Sequence, residues 1–453
     1  MALVALRLPL PASARIKCPF MLVALLSHVL SEPKTVSFFL GRPAGRPSQS
    51  VNWSLGLSFY SSAAFFLALA VLIVPAAVLG LSGRSIRRYG MCASLVMLLL
   101  LFSRSLAQLA AFVAFVAVAT TCFLVTLKSW QSGEKSLVKY RICLVATLAP
   151  LVIYKVSFAA GADLWGFVGI SYVTFRAVQV LVEVRDGLIA EMSLADYLYF
   201  LTFFATITSG PIDRSRRFDE DAHRTRTRAE YADLLGRGLI YILMGAVGQL
   251  VIATIALKYF QLDRPLVAYG LAWGIGRQLA NAYLYTIYLF TDFAGYSLMA
   301  VGASMCLGIE APQNFNAPYL ALDIKDFWNR WHITLSTWLR DFVFMRLVRA
   351  FTKRKLFGSR QARANVAYIA NMLVMGLWHG LTADYIAYGL YHGVLLAATD
   401  TWQKKSKFYK ANKDRAWFKA LSWFVTMHLV IFGFSIFSGQ FSNILWRLIN
   451  GAG

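Results

Sequence analysis

Acidic residues are scarce in this chain: 22 Asp and Glu stand against 45 Lys and Arg, giving a formal net charge of +23. No acidic cluster suited to a hard divalent cation stands out, and no metal is expected. The excess charge does not point to nucleic acid either. The basic residues collect in short stretches between apolar runs, as they do beside the anionic inner face of a membrane. Cysteine is also sparse. Cys18, Cys92, Cys122, Cys143 and Cys306 are scattered without CxxC or Cys–His spacing, which removes a disulfide framework and a zinc site and leaves small buried hydrophobes. There is no GxSxG elbow and no HExxH pair, so a serine nucleophile and a zincin are unsupported. Nor is there an internal repeat of the kind transporters show.

Apolar residues are what the chain has in abundance: 58% are hydrophobic and 15% aromatic, with a mean hydropathy of +0.56. Apolar windows recur at 55–81, 91–103, 105–127, 141–160, 164–182, 194–211, 234–257, 266–290, 292–309, 364–381, 384–400 and 417–438. By the length a bilayer demands, roughly 20 residues per span, these predict about ten or eleven transmembrane helices. Lipid cannot satisfy exposed backbone groups, so an all-α polytopic membrane protein is expected. Residues 1–52 end in GRPAGRPSQS and differ from the rest. They read as an N-terminal extension, from an early start codon at least as readily as from a signal peptide. Residues 53–440 form one membrane domain and 441–453 a tail.

The charged stretches orient the chain. Residues 342–363 carry seven Lys or Arg and no acid, and 403–419 carry seven and one acid. Both should be cytoplasmic. Between them lie two apolar segments, 364–381 and 384–400, whose joining turn must then face outward. Eighteen helical residues cover about 27 Å, so His379, in MGLWHGLTAD, sits toward the extracytoplasmic half.

An imidazole at that depth is a functional hypothesis by default, the alternative being a structural bridge between helices. Trp378 and Gly380 flank it, and Tyr385, Tyr388, Tyr391 and His392 follow on the next segment. A second constellation runs from NFNAPY at 314–319 through DFWNRWHITLSTWLRD at 326–341. It is too polar for a plain span and too aromatic for a solvated loop, which fits a re-entrant or interfacial helix lining a cavity. Arg330, His332, Arg340 and Asp341 need partners and can supply one another.

The run NFNAPYLALDIKDFWNRWHITLSTWLRDFVFMRL followed by MGLWHG resembles the signature of the membrane-bound O-acyltransferase (MBOAT) family. GISYVTFRAVQVLVEVRDGLI at 169–189 and FFATITSGPIDR at 203–214 are similar to its D-alanyl-transferring branch. The polysaccharide O-acetylating branch is similar in RWHITLSTWLRD. The resemblance covers roughly residues 53–440. It implies helices around a thinned centre with a tunnel across the membrane, a catalytic role for His379 and a second essential role for His332 on the cytoplasmic side. It also implies a bacterial cytoplasmic-membrane enzyme with no tightly bound cofactor. The donor would be D-alanine on the 4'-phosphopantetheine thioester of a small acidic carrier protein. The acceptor would be a hydroxyl of an envelope polymer of the teichoic acid type, or of an exported polysaccharide if acetyl is the group moved.

Acyl transfer of either kind needs a base for the hydroxyl proton. An imidazole, with an ordinary pKa near 6.5, suits that task at neutral pH. A carrier would dock on a surface both basic and apolar. Phe344, Met345 and Val348, with Arg349 and Lys353, supply those properties in the stretch 342–363.

Overall fold

The computed structural model describes residues 59–103, 105–162, 164, 166–260 and 271–449. The extension expected over 1–52 lies outside the described residues. Among those described there are helices and no strands. In chain order they are α1 (Ala63–Leu81), α2 (Arg87–Phe102), α3 (Leu106–Gln131), α4 (Leu137–Ala159), α5 (Ile170–Arg185), α6 (Leu194–Thr202), α7 (Ser215–His223), α8 (Arg228–Tyr259), α9 (Leu271–Cys306), α10 (Ile324–Arg330), α11 (Ile333–Leu339), α12 (Met345–Lys353), α13 (Arg360–His379), α14 (Ala383–Lys405), α15 (Lys407–Asn412), α16 (Ala416–Phe437) and α17 (Gln440–Ile449). The protein is an all-α, multi-pass membrane protein. Five of these helices, α1, α3, α4, α8 and α16, are long and apolar enough to cross a membrane on their own. The other long helices carry more polar residues, and α5 shows why: it is buried on all sides, with Arg176, Gln179 and Glu183 in the interior.

The helices depart from the apolar windows in places. Over Leu271–Cys306 the windows 266–290 and 292–309 run as one continuous helix, α9, because the polar pair Thr291–Asp292 at their junction does not break helical geometry. The window 194–211 is not a span. Only nine residues of it are α-helical, and the carbonyls freed at the break are taken by buried Arg176, which donates to Phe200 O at 3.0 Å and to Leu201 O and Phe203 O at 3.3 Å. An irregular backbone at this depth needs such a donor. The charged segment 213–237 contains α7 and the start of α8, which Thr227 and Glu230 close with a reciprocal capping box. Gln440–Ile449 is helical (α17), with Gln440 Nε2 donating to Gln278 O at 2.8 Å.

α13 and α14 form a close antiparallel pair. Gly389 and Gly393, one turn apart, let the backbones approach: a Cβ on Gly389 would lie 2.5 Å from Met372 O. This is the small-residue packing that membrane helices use where apolar surface alone gives no preference. At the far end of the pair Gln361 Nε2 donates to Asp400 Oδ2 at 2.8 Å, and Lys325 and Lys404 also bind that buried carboxylate. Both basic segments therefore leave from one end of the hairpin, here called the basic face. His379 lies at the other end.

Candidate active site

Between α10 and α11 the helix breaks at Trp331–His332. His332 adopts φ +42°, a left-handed conformation rare outside glycine. The break is held by Asn314, whose backbone carbonyl accepts from Ile333 N at 2.9 Å. Its side chain donates to Ser297 Oγ at 3.0 Å and accepts from Thr334 Oγ1 at 2.6 Å. The second strut is Asn316 N donating to Arg330 O at 3.0 Å. Held this way, the His332 ring stands edge-on to Phe293, with centroids 4.6 Å apart, and its Nε2 is buried without a hydrogen-bond partner.

His379 ends α13. Its ring packs edge-on against Phe437 at 4.9 Å and lies near Tyr385 at 5.9 Å and Tyr388 at 6.5 Å. Trp378 stands between the two histidines, 4.5 Å from the His379 ring and 6.2 Å from that of His332. Its indole N–H is also buried without a partner. The two histidines, more than 40 positions apart in sequence, line one cavity of about 40 Å³ with Phe293, Trp328, Met375, Tyr388 and Phe437.

A second cavity, of about 160 Å³, lies toward the basic face and is lined by Lys325, Ser336, Arg340, Phe344, Tyr368 and Asn371 among others. The two cavities share Trp328, Leu335 and Met375 in their walls. From Tyr368 to His379 the path along α13 climbs about 16 Å. A thin, extended group coming from the basic face would pass those three shared residues to reach both imidazoles.

The stretch 342–363, expected as a loop, is in part a helix. A π-helical turn over Arg340–Phe344 leads into α12, which is strongly amphipathic. Met345 is 54% exposed, Val348 is half-buried, and Arg349 and Lys353 are exposed. Neither Arg349 nor Lys353 has a carboxylate partner among the described residues. Phe344 faces differently: its ring packs on Tyr368 at 4.6 Å and forms part of the larger cavity's wall. Arg346 is engaged by Asp186 at 2.5 Å.

The charged residues of the second constellation pair only partly with one another. Arg340 and Asp341 do, at 2.9 Å, and Arg214 joins them at 2.5 Å. Arg330 binds Asp326, one turn earlier in the same stretch, at 2.7 Å, and among the described residues His332 has no ionic partner. Of the residues after His379, Tyr385 and Tyr388 face it. Tyr391 turns to α16 and donates to Leu429 O at 3.0 Å, and His392 accepts from Trp328 Nε1 at 3.3 Å.

The sequence around this paired-histidine cavity matches a known family. The model of MBOAT, the membrane-bound O-acyltransferase family, matches residues 92–440. The chain belongs to this family. It is 40% identical over 390 residues to a teichoic acid D-alanyltransferase of Bacillus subtilis, covering 84% of this chain and 98% of that one. It is 34% identical over 411 residues to a protein of the same name from Lacticaseibacillus rhamnosus, covering 86% and 99%. A probable alginate O-acetylase, AlgI, of Pseudomonas aeruginosa is 32% identical over 290 residues, covering 62% of this chain and 50% of that one.

The cavities are also lined by residues that the sequence did not single out. Phe293 of α9 and Phe434 and Phe437 of α16 line the histidine chamber, yet each sits in a plain apolar run that carries no local signal. Asn371 is different: its Oδ1 is buried without a partner in the larger cavity. A polar residue inside an apolar window was a legible sign.

Proposed function

We propose that this membrane acyltransferase moves a D-alanyl group from a carrier-protein thioester, presented at the basic face, to a hydroxyl of a teichoic-acid-type envelope acceptor on the other side. The observation that carries this reading is the single cavity holding His332 and His379, adjoining a larger one that runs toward the basic face. The basic face is then cytoplasmic, as the charge bias requires, and the enzyme sits in the bacterial cytoplasmic membrane. Residues 53–440 are its catalytic domain.

His379 acts as general base. Its imidazole takes the proton of the acceptor hydroxyl as the oxygen attacks the thioester carbonyl. The tetrahedral species collapses, the C–S bond breaks, and the departing thiolate recovers that proton, leaving an ester and the carrier's free thiol. His332 Nε2, buried without a partner in the wall of the same cavity, supplies a polar atom for the thioester as charge grows on its oxygen. The phosphopantetheine arm is substrate, not a resident cofactor. The acidic carrier docks on α12, with Met345 and Val348 in apolar contact, Arg349 and Lys353 steering its approach, and Phe344 at the cavity mouth.

O-acetylation of an exported polysaccharide is the second reading, favoured by the likeness to the alginate O-acetylases. Enzyme in sealed vesicles, offered D-[14C]alanyl carrier or [14C]acetyl donors, separates the two. Label passing from D-alanyl carrier to teichoic acid is the expected result. Label passing only from acetyl donors sinks the first reading.

A further inference from the structure

α4 starts at the basic face, where Tyr140 lies under Arg185 with the guanidinium 5.2 Å from the ring centroid. The adjacent Asp186 binds Arg346 of α12. Eighteen residues later, about 27 Å along the axis, α4 carries Lys155 at the opposite end of the molecule. There Nζ donates to the backbone oxygen of His379 at 3.2 Å. A half-buried ammonium in an apolar helix is costly enough to need a reason, and it stands where the charge bias disfavours cations. Among the described residues Lys155 has no carboxylate partner. The acid nearest His379 in sequence, Asp384, accepts from Ser442 instead.

A lysine next to the last turn of a helix caps its carbonyls, and that accounts for one of three N–H donors. Two donors and the positive charge remain at the backbone of the residue whose ring the proposed mechanism uses as base. We propose that Lys155 is an anion subsite for the acceptor, binding a phosphodiester oxygen next to the hydroxyl that His379 deprotonates. This rests on the reading of His379 as base and of an envelope hydroxyl as acceptor. In a teichoic-acid-type polymer, polyols are joined through phosphodiesters, so a reactive hydroxyl is only a few bonds from an anion. Because the ammonium is tied to the backbone of His379 itself, an anion held there brings its neighbouring hydroxyl to the imidazole. A neutral polysaccharide hydroxyl would gain nothing from the charge.

The test uses the full-length enzyme in phosphatidylcholine vesicles with D-alanyl carrier. Three acceptors are compared: a glycerol phosphate oligomer, neutral glycerol, and phosphatidylglycerol in the bilayer. Wild type should prefer a phosphodiester acceptor. Lys155→Met should raise the KM for it and cut that preference by about ten- to a hundredfold, the worth of a hydrogen bond to a charged group. Lys155→Arg should retain most of the preference, and added salt should erode it. Label on the oligomer assigns the anion to a polymer; label on phosphatidylglycerol assigns it to a lipid headgroup. Lys155→Met losing anionic and neutral transfer by the same factor, with KM unmoved, would reduce the residue to a helix cap and overturn the proposal. Failure of wild type to transfer D-alanine to any acceptor instead overturns the functional reading, so the two failures are told apart. Monodispersity in detergent and retained carrier binding control for folding.

Discussion

The two cavities that share Trp328, Leu335 and Met375 are built differently. The histidine chamber, about 40 Å³, is walled by rings from α9, α10, α14 and α16 and by a strained turn at His332. The chamber toward the basic face, about 160 Å³, is walled by mixed polar and apolar side chains and borders the amphipathic stretch 340–353. The contrast teaches a division of labour. On the proposed mechanism, close packing fixes rotamers and excludes water where the proton would move, and the wider, polar-edged vestibule would admit the donor's arm.

The largest expected effect lies in the small chamber. His379→Ala should lower transfer by roughly a hundredfold to ten-thousandfold, the worth of a positioned base, in protein that still purifies monodisperse. Undiminished transfer would end the assignment. Blocking the passage between the chambers comes next. Met375→Trp fills the shared wall and should suppress transfer while leaving carrier binding intact, read by single-turnover label transfer beside a pull-down. Transfer at the wild-type rate would mean that the arm takes another route.

The vestibule side should respond through binding instead. Val348→Asp places a carboxylate in the docking face and should weaken carrier affinity by tenfold or more, since an unpaired buried charge costs over a kcal/mol. The smallest effect is expected at the rim. Charge reversal at Arg349 and Lys353 should slow association at low salt and become nearly silent at high salt. Stopped-flow measurement at two ionic strengths checks it, and a salt-independent defect would remove steering from the account.

Much of the catalytic side was legible because membrane burial makes polar residues conspicuous. His379 and His332 stand out in apolar surroundings, and the charge pattern put both basic segments at one end of the 364–400 hairpin, opposite His379, as the α13–α14 pair shows. Helix breaks were less legible. The window 194–211 looks like a span in hydropathy, but its backbone is broken and satisfied from outside by Arg176, a residue on another helix. The stretch after Asp341 looked like a basic loop, yet its apolar residues fall on one side once it coils into α12.

The sequence by itself determined the class of protein, most of the long apolar helices and the two buried imidazoles, because a bilayer leaves few ways to satisfy a backbone or retain a polar side chain. The tertiary structure decided which rings close around those imidazoles, that one cavity holds both, and that Lys155 of α4 reaches the carbonyl of His379. These are contacts between helices far apart in the chain. No local pattern encodes them, since an apolar residue facing lipid and one facing the cavity read the same in sequence.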